Sequence, residues 1–244
     1  MKSIMLIAPI IGSLYFLNPC SARAQAMFQD LDFESANVPA SGPEPYGTFV
    51  PIGSALPGWT AYLGSEQLTQ VGYNAPANST ASITLIGPTW NSSDVGVYGV
   101  GIIDGNYSVD LQTGGVPPSY TVDDNASILQ NGAVPSTAES LQFKAFETTP
   151  LSVSFNGNAL IPVALSSGMS ADGLPYTLYG ANISAWAGQT GELEFTADFN
   201  GSFNFVVLDD ISFSPNAVSP EPSIVALTAI GGLLFGARKR FARR

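Results

Sequence analysis

The chain has 244 residues and a formal net charge of -11, and it contains no histidine and a single cysteine, Cys20. These absences exclude Ser-His-Asp and Cys-His catalysis, zinc sites built on histidine, and disulfide bonds within the chain. A domain of this length without disulfides must be stabilised by burial of apolar side chains, and 45% of the residues are hydrophobic.

The first 26 residues are typical of a secretory signal peptide. Lys2 supplies the charged start, an apolar stretch runs from Ile4 to Leu17, and Ala24 and Ala26 form a small-residue cleavage site. We therefore expect a signal helix that is removed by signal peptidase, which leaves a mature chain beginning at Met27 and identifies the protein as exported.

Lipid attachment at Cys20 is an alternative use of the same segment. It requires a small residue immediately before the cysteine, and this chain has Pro19 there. Removal of Cys20 with the signal peptide is therefore the favoured interpretation.

Charge is distributed unevenly along the chain. Between Met27 and Ser219 there are eighteen acidic residues and one basic residue, Lys144, which gives this part a net charge of -17. Nucleic acid is excluded as a partner, because phosphate contacts require clustered Lys or Arg. A cationic partner such as Ca²⁺ is favoured, and the alternative is that the acidic surface serves solubility alone.

Short segments of alternating apolar and polar residues, separated by Gly and Pro, recur between Met27 and Ser219, the part called the body below. The clearest is Glu192 to Phe199, in which Leu193, Phe195, Ala197 and Phe199 share one side. This period of two predicts a strand with one face exposed to solvent. Tyr107 to Gln112 and Leu141 to Ala145 show the same alternation.

Turn residues add further detail to this pattern. Leu151 to Phe155, Asn156-Gly157 and the apolar Ala159 to Leu165 predict a hairpin, and the five prolines between Val38 and Pro57 predict a long loop. No stretch outside the two termini has a convincing helical period. We therefore predict one all-β domain over residues 27–217, an antiparallel β-sandwich of the jelly-roll type.

Three motifs in the body carry a family resemblance. Leu-Asp-Phe-Glu ends at Glu34, Leu-Pro-Gly-Trp ends at Trp59, and Leu-Asp-Asp-Ile-Ser-Phe contains Asp209 and Asp210. In their order and distance apart they resemble the galactose-binding-like jelly rolls of many carbohydrate-binding modules. The opening motif departs from that pattern, because Gln29 or Asp30 stands where Asn is usual.

The resemblance implies both a metal site and a ligand. In that fold the first and last strands lie close together, and a structural Ca²⁺ often sits between them. Glu34 with one or both of Asp209 and Asp210 are the implied ligands. Adjacent residues of a strand point to opposite faces, so at most one of the two aspartates joins Glu34 with ease. The alternative is that these carboxylates accept backbone N–H groups in a turn.

Three tryptophans are candidates for stacking on sugar rings: Trp59, Trp90 and Trp186. Tryptophan suits surfaces with one apolar and one wet side, although in a sandwich of this size a single tryptophan is more often part of the core. Trp90 has the most loop-like surroundings.

Paired carboxylates offer an enzymatic alternative. Glu192 with Glu194, or Asp123 with Asp124, could serve as general acid and nucleophile of a hydrolase that acts on extracellular polysaccharide. The strand alternation places both glutamates on the solvent side, and no cleft signature accompanies either pair. We therefore predict binding and not catalysis.

The last residues form a distinctive tail. Pro220, Glu221 and Pro222 precede an apolar run from Ile224 to Ala237, and five basic residues follow. This arrangement resembles the PEP-CTERM sorting signal of Gram-negative bacteria, although Ser219 replaces the usual Val. The resemblance covers residues 218–244.

The tail resemblance implies a route for the protein. The apolar run is expected to form a short transmembrane helix with its basic end in the cytoplasm, and an exosortase-like membrane peptidase to process it. After transient contact with the inner membrane, the body would reach the cell surface or extracellular matrix. There we expect a non-catalytic protein, either structural or weakly bound to extracellular polysaccharide.

Overall fold

The computed structural model describes residues 27–38, 48–76, 80–90, 100–115 and 123–218. The predicted signal cleavage site at Ala24 and Ala26 and the predicted sorting motif of Pro220, Glu221 and Pro222 lie outside these ranges. Within them, none of the helices has the length and apolar character needed to span a bilayer.

The described chain is built almost entirely from strands, as the alternating pattern predicts. In chain order they are Thr48–Pro51 (β1), Thr60–Leu63 (β2), Glu66–Gln67 (β3), Gln70–Tyr73 (β4), Ser82–Ile86 (β5), Ser108–Gly115 (β6), Asp123–Asp124 (β7), Ala126–Ala133 (β8), Ser140–Glu147 (β9), Leu151–Phe155 (β10), Asn158–Leu160 (β11), Val163–Met169 (β12), Pro175–Asn182 (β13), Thr190–Ala197 (β14) and Asn204–Ser214 (β15). One helical turn, Ile52–Ala55 (α1), and a 3₁₀ turn, Ser184–Trp186, complete the elements.

The strands form two sheets. The larger has the order β1-β4-β5-β6-β15-β9-β13-β12, with β7 also paired to β6, and the smaller has the order β11-β10-β14-β8-β2-β3. All described pairings are antiparallel except that of β4 with β5. The prediction of an all-β sandwich is confirmed at this level.

The main core lies between the two sheets. Phe195 of β14 and Phe143 of β9 meet edge to face across it, with ring centroids 5.2 Å apart, and both side chains are fully buried. The N-terminal segment closes one end of the core, because Phe28 packs on Phe213 of β15 and the N–H of Ile211 donates to the carbonyl of Leu31 at 2.9 Å. The first and last described segments are therefore neighbours.

A second, smaller apolar cluster covers the outer face of the larger sheet. Phe205 and Val207 of β15 point away from the main core and pack with Ile86, Val100, Ile103 and Leu174. Strands β6 and β15 are consequently covered on both faces. Polar residues that alternate with core residues on these strands are buried too, among them Asp110 and Asp209.

Three local predictions need correction. The segment Ala159 to Leu165 is not one strand: β11 ends at Leu160 in the smaller sheet, and β12 begins at Val163 in the larger one. Pro162 lies at the break and has no N–H to donate to a ladder. The strand predicted to end at Phe199 ends at Ala197, so Phe199 is only half-buried.

The proline-rich stretch also differs from the loop predicted for it. Its residues 48–55 form β1 and α1. Pro51 is the last residue of β1, a strand at the edge of the larger sheet, where a missing N–H costs no internal hydrogen bond.

Candidate functional site

Glu34 and Asp209 meet at the loop of residues 103–107, which precedes β6. Glu34 Oε1 accepts the backbone N–H groups of Asn106 at 2.6 Å and Tyr107 at 3.0 Å, and Glu34 Oε2 accepts the side-chain amide of Asn106 at 2.8 Å. A charged acceptor with three donors is among the stronger hydrogen-bonding arrangements in proteins. Glu34 therefore fixes this loop to the N-terminal segment.

Asp209 holds the same loop from β15. Its Oδ2 accepts the N–H of Asp104 at 2.9 Å and the hydroxyl of Ser108 at 2.6 Å, and its Oδ1 accepts the N–H of Asp210 at 2.7 Å. The side chain is 1% exposed. Burial raises the pKa of Asp209 to about 7, although these three hydrogen bonds favour the charged form and oppose the rise.

The strand β15 bulges immediately after Asp209. Asp210 has φ 47°, and the pairing register with β9 shifts between Asp209 and Ser212. Because the extra residue interrupts the alternation, adjacent aspartates do not simply take opposite faces of a regular strand. Asp210 Oδ2 lies 3.0 Å from Lys144 Nζ, which also contacts Asp104 Oδ2.

Lys144 lies between Asp104 and Asp210 and contacts both. Partial burial lowers the pKa of its ammonium, but the hydrogen bonds and charges of the two aspartates outweigh this and raise it overall. The same contact with Lys144 lowers the pKa of Asp104. Asp104 and Asp210 are about half exposed at their side chains, so the pair adds little stability.

This geometry bears directly on the predicted calcium ligands, Glu34, Asp209 and Asp210. The structure brings all three to one corner, but it gives their oxygens N–H, O–H and ammonium donors. Among the described residues, no group of three or more Asp, Glu, Cys or His side chains converges in a way that could hold a metal. Calcium at this corner stays a prediction, and the turn-capping alternative describes the observed contacts.

Trp59 is a packing residue that also anchors the N-terminal turn. It is 4% exposed, its ring packs on Phe33 and Phe195 at centroid distances of 5.8 and 6.4 Å, and its Nε1 donates to the carbonyl of Asp30 at 3.0 Å. These contacts use both its apolar and its polar parts, which leaves it poorly placed for sugar stacking.

The other two tryptophans are half-buried. Trp90 donates from Nε1 to the carbonyl of Val100 at 2.9 Å and packs on the second apolar cluster. Trp186, in the 3₁₀ turn, packs on Phe155 with centroids 5.7 Å apart. Each retains exposed surface, so their proposed ligand contact remains a prediction.

An aromatic cleft that none of the sequence motifs indicates lies at the β9–β13–β12 end of the larger sheet. It has a volume of about 450 Å³, and its lining includes Phe146, Glu147, Ser167, Tyr176, Thr177 and Tyr179. The Tyr179 ring stacks on Phe143 at 5.5 Å, and its hydroxyl donates to Glu147 Oε2 at 3.3 Å. We call this the tyrosine cleft. No sequence signal indicated it, because β9, β12 and β13 come together only in the sheet.

Glu147 is the one carboxylate among the described residues that line the tyrosine cleft. Partial burial raises the pKa of Glu147, and the hydrogen bond from Tyr179 opposes that rise. The lining comes from both faces of the sheet: Tyr179 packs on the main core, with Thr177 and Glu147 on the same face, whereas Tyr176 and Phe146 pack with the second apolar cluster on the opposite face. The cleft therefore offers one tyrosine ring beside hydroxyls and one carboxylate. This combination suits a polar ligand with apolar faces.

The carboxylate pairs considered for hydrolysis lie elsewhere. Glu192 and Glu194 are half-buried on β14 of the smaller sheet, where they accept long hydrogen bonds of 3.4–3.5 Å from Asn131, Ser154 and Thr196. Asp124 accepts the N–H of Asn125 at 3.1 Å. None of these acids lines the tyrosine cleft.

No protein-family model, curated protein or solved structure matches this chain. The two resemblances drawn from its motifs therefore stay predictions.

Proposed function

We propose that this protein is an exported, non-catalytic β-sandwich that works at the cell surface or in the extracellular matrix and binds polysaccharide weakly. The observation that carries the proposal is the tyrosine cleft, in which the ring of Tyr179 lies beside the polar groups of Glu147 and Thr177 on one face of the sheet. Sugar rings have apolar C–H faces and polar edges, which match these two kinds of surface.

The charge of the body narrows the class of glycan. Eighteen acidic residues and one basic residue lie between Met27 and Ser219, and the single base is engaged by Asp104 and Asp210. Polyuronates would be repelled by this field, whereas neutral or amino-bearing glycans would not. We therefore favour a neutral or aminated polysaccharide.

Binding of oligosaccharides to the purified protein tests this proposal. Calorimetry or affinity electrophoresis with neutral, amino-bearing and uronate oligosaccharides should show saturable binding to one of the first two classes. Tyr179→Ala should weaken it at least several-fold. Tyr62→Ala is the matched control, because Tyr62 is also half-buried but lies on β2 of the other sheet. Equal effects of the two substitutions, or no saturable binding in any class, would reject the cleft as a glycan site.

A hydrolase would need a second carboxyl group in the same cleft. Glycoside hydrolysis ordinarily needs two carboxyl groups that flank the scissile bond, and Glu147 is unaccompanied by a second acid among the described residues that line the cleft. We expect no release of reducing ends from bound oligosaccharides. Release that Glu147→Gln abolishes would instead establish an enzyme.

The proposed route of export rests on the sequence of the two termini. Mass spectrometry of protein recovered from its native host should find a mature N-terminus at Met27 and no peptide that ends at Arg244. Protein at the surface with an intact tail would contradict processing by an exosortase-like peptidase.

A further inference from the structure

Asp110 is a fully buried carboxyl group without a hydrogen-bond partner in the described part of the chain. The alternation that directs Val109 and Leu111 into the main core turns Asp110 to the outer face of the larger sheet. There it is 0% exposed, and neither of its oxygens makes a hydrogen bond to a described residue. A buried and unpaired charge is costly, so this group requires an explanation of its own.

No cationic side chain of the body can neutralise Asp110. Lys144 is the sole base between Met27 and Ser219, and it binds Asp104 and Asp210. Protonation would remove the charge, but it would leave an O–H that needs an acceptor, and neither carboxyl oxygen makes a hydrogen bond among the described residues.

The surroundings of Asp110 on β5 are rich in oxygen. In the sheet register Asp110 lies directly opposite Thr84, and Ser82 lies one pair further along, on the same face. Directly opposed side chains have Cβ atoms roughly 5 Å apart, and diagonal neighbours roughly 7 Å apart. Ser82 Oγ is itself buried, and no described residue hydrogen-bonds to it.

Two backbone carbonyls border the same region. Thr84 Oγ1 donates to the carbonyl of Ala75 at 3.2 Å, and Gln112 Nε2 donates to the carbonyl of Thr80 at 2.6 Å. The described residues therefore place a carboxylate and two hydroxyls on one covered face of the sheet, and two carbonyl oxygens contact the neighbouring side chains Thr84 and Gln112. Oxygen ligands of this kind are those that hard cations prefer.

We propose that Asp110, with the hydroxyls of Ser82 and Thr84, binds a dehydrated alkali cation, Na⁺ or K⁺, as a structural ion of the larger sheet. The charge balance selects a monovalent ion: with one carboxylate it leaves the site neutral, whereas a divalent ion would leave a net positive charge buried beside Val207, which lies opposite Asp110 on β15. This site is separate from the corner of Glu34, Asp209 and Asp210.

The thermal stability of the purified full chain in different chloride salts tests the site. NaCl, KCl and choline chloride at equal ionic strength screen surface repulsion alike, but choline is too large for a dehydrated site. We expect a saturable rise in Tm with NaCl or KCl over choline chloride. At an ion concentration nine times Kd, the folded-to-unfolded ratio should rise about tenfold.

Three variants separate this site from general charge effects. Asp110→Asn should abolish the advantage of the alkali salts, and Asp172→Asn, which removes the same charge from an exposed position, should retain it. Ser82→Ala keeps the carboxylate and should weaken the apparent ion affinity several-fold, so the test survives if Asp110→Asn does not fold. Broadening of the ²³Na resonance by the wild-type protein, reversed by K⁺ but not by choline, is the expected direct signal.

Several results would overturn the proposal. Equal Tm values in alkali and choline salts would show that no ion is bound. Selective stabilisation by Ca²⁺ that Asp110→Asn removes would show a divalent site. An infrared band of a protonated carboxyl at pH 7 in NaCl, absent from Asp110→Asn, would show that Asp110 is buried as a neutral acid.

Discussion

Glu34 and Asp209 bind the same loop although 175 positions separate them in the chain: Glu34 accepts the N–H groups of Asn106 and Tyr107, and Asp209 accepts the N–H of Asp104. The loop lies just before β6, a central strand of the larger sheet. The two carboxylates thus connect the N-terminal segment, β6 and β15. They serve as structural acceptors beside two central strands of the larger sheet.

Substitution of Glu34 should destabilise the protein through this loop. Glu34→Ala removes three charge-assisted hydrogen bonds and should lower the free energy of unfolding by about 1–3 kcal/mol. Glu34→Gln keeps the shape and one of the two acceptor oxygens and should cost less. Glu66→Ala, at an exposed position of β3, is the control and should change stability by roughly 0.5 kcal/mol or less. Denaturant titration measures all three, and a neutral Glu34→Ala would show that the loop does not depend on Glu34.

Asp209 should make stability depend on pH. Burial raises its folded-state pKa to about 7 from an ordinary value of 3.8, so the folded protein binds the proton more tightly than the unfolded chain does. The stabilisation from this proton is complete below the unfolded pKa and is lost as pH rises through about 7. The difference is on the order of 4 kcal/mol across this window.

Comparing the stability of wild type and Asp209→Asn across pH isolates the titration of Asp209, since an amide does not titrate. The stability of wild type relative to Asp209→Asn should fall between pH 4 and 7, even though Asp209→Asn loses one hydrogen bond at every pH. Comparison with Asp172→Asn, an exposed acid, removes the contribution of general repulsion. A constant difference across the range would mean that Asp209 titrates normally.

The alternation of apolar and polar residues predicted where strands lie and which side chains share a face. It could not show what packs on each face of a strand. In β9 the prediction was confirmed: Leu141, Phe143 and Ala145 are buried, and Lys144 points the other way. The same alternation in Tyr107 to Gln112 predicted a wet side for β6, yet Ser108 and Asp110 are fully buried. Periodicity separates the two faces of a strand, whereas the apolar segment that covers the second face comes from elsewhere in the chain.

The candidate site was predictable only in part for the same reason. The motifs indicated Glu34, Asp209 and Asp210, and the structure does bring them to one corner. The groups that satisfy them come from the loop before β6 and from β9, between 66 and 105 positions away. Lys144 gave one usable signal, because the sole base of an acidic body is expected to find carboxylate partners. The tyrosine cleft and Asp110 depend on sheet order, which no local pattern specifies.

Lys144 and a calcium ion would compete for the same oxygens, because Lys144 Nζ lies 3.0 Å from Asp210 Oδ2. If Ca²⁺ binds the corner of Glu34, Asp209 and Asp210, Lys144→Met should enlarge the rise in Tm that CaCl₂ produces, since the competing ammonium is gone. The substitution alone should cost little through its half-exposed partners.

Two controls make the calcium test specific. MgCl₂ at the same concentration supplies the same screening but an ion with a stricter, octahedral geometry, and the Asp209→Ala/Asp210→Ala double substitution removes the proposed ligands. Equal responses to CaCl₂ and MgCl₂ in wild type and Lys144→Met would show that calcium has no site at this corner.

Phe195 should be among the most important residues for stability, and its neighbour Glu194 among the least. Phe195 is fully buried and contacts Trp59 and Phe143. Glu194 is half-buried on the opposite face of β14, where its carboxylate accepts two long hydrogen bonds of 3.4 Å. Phe195→Ala should therefore cost about 3–5 kcal/mol through the cavity that it leaves.

Glu194→Ala, one position away on the same strand, should cost less than about 1 kcal/mol. A domain of this size has roughly 5–15 kcal/mol of stability in total, so only the phenylalanine substitution brings the protein close to unfolding. Denaturant midpoints and yields of exported protein should both fall for Phe195→Ala and stay near wild type for Glu194→Ala. Equal tolerance of the two would mean that β14 does not present one face to a core between two sheets.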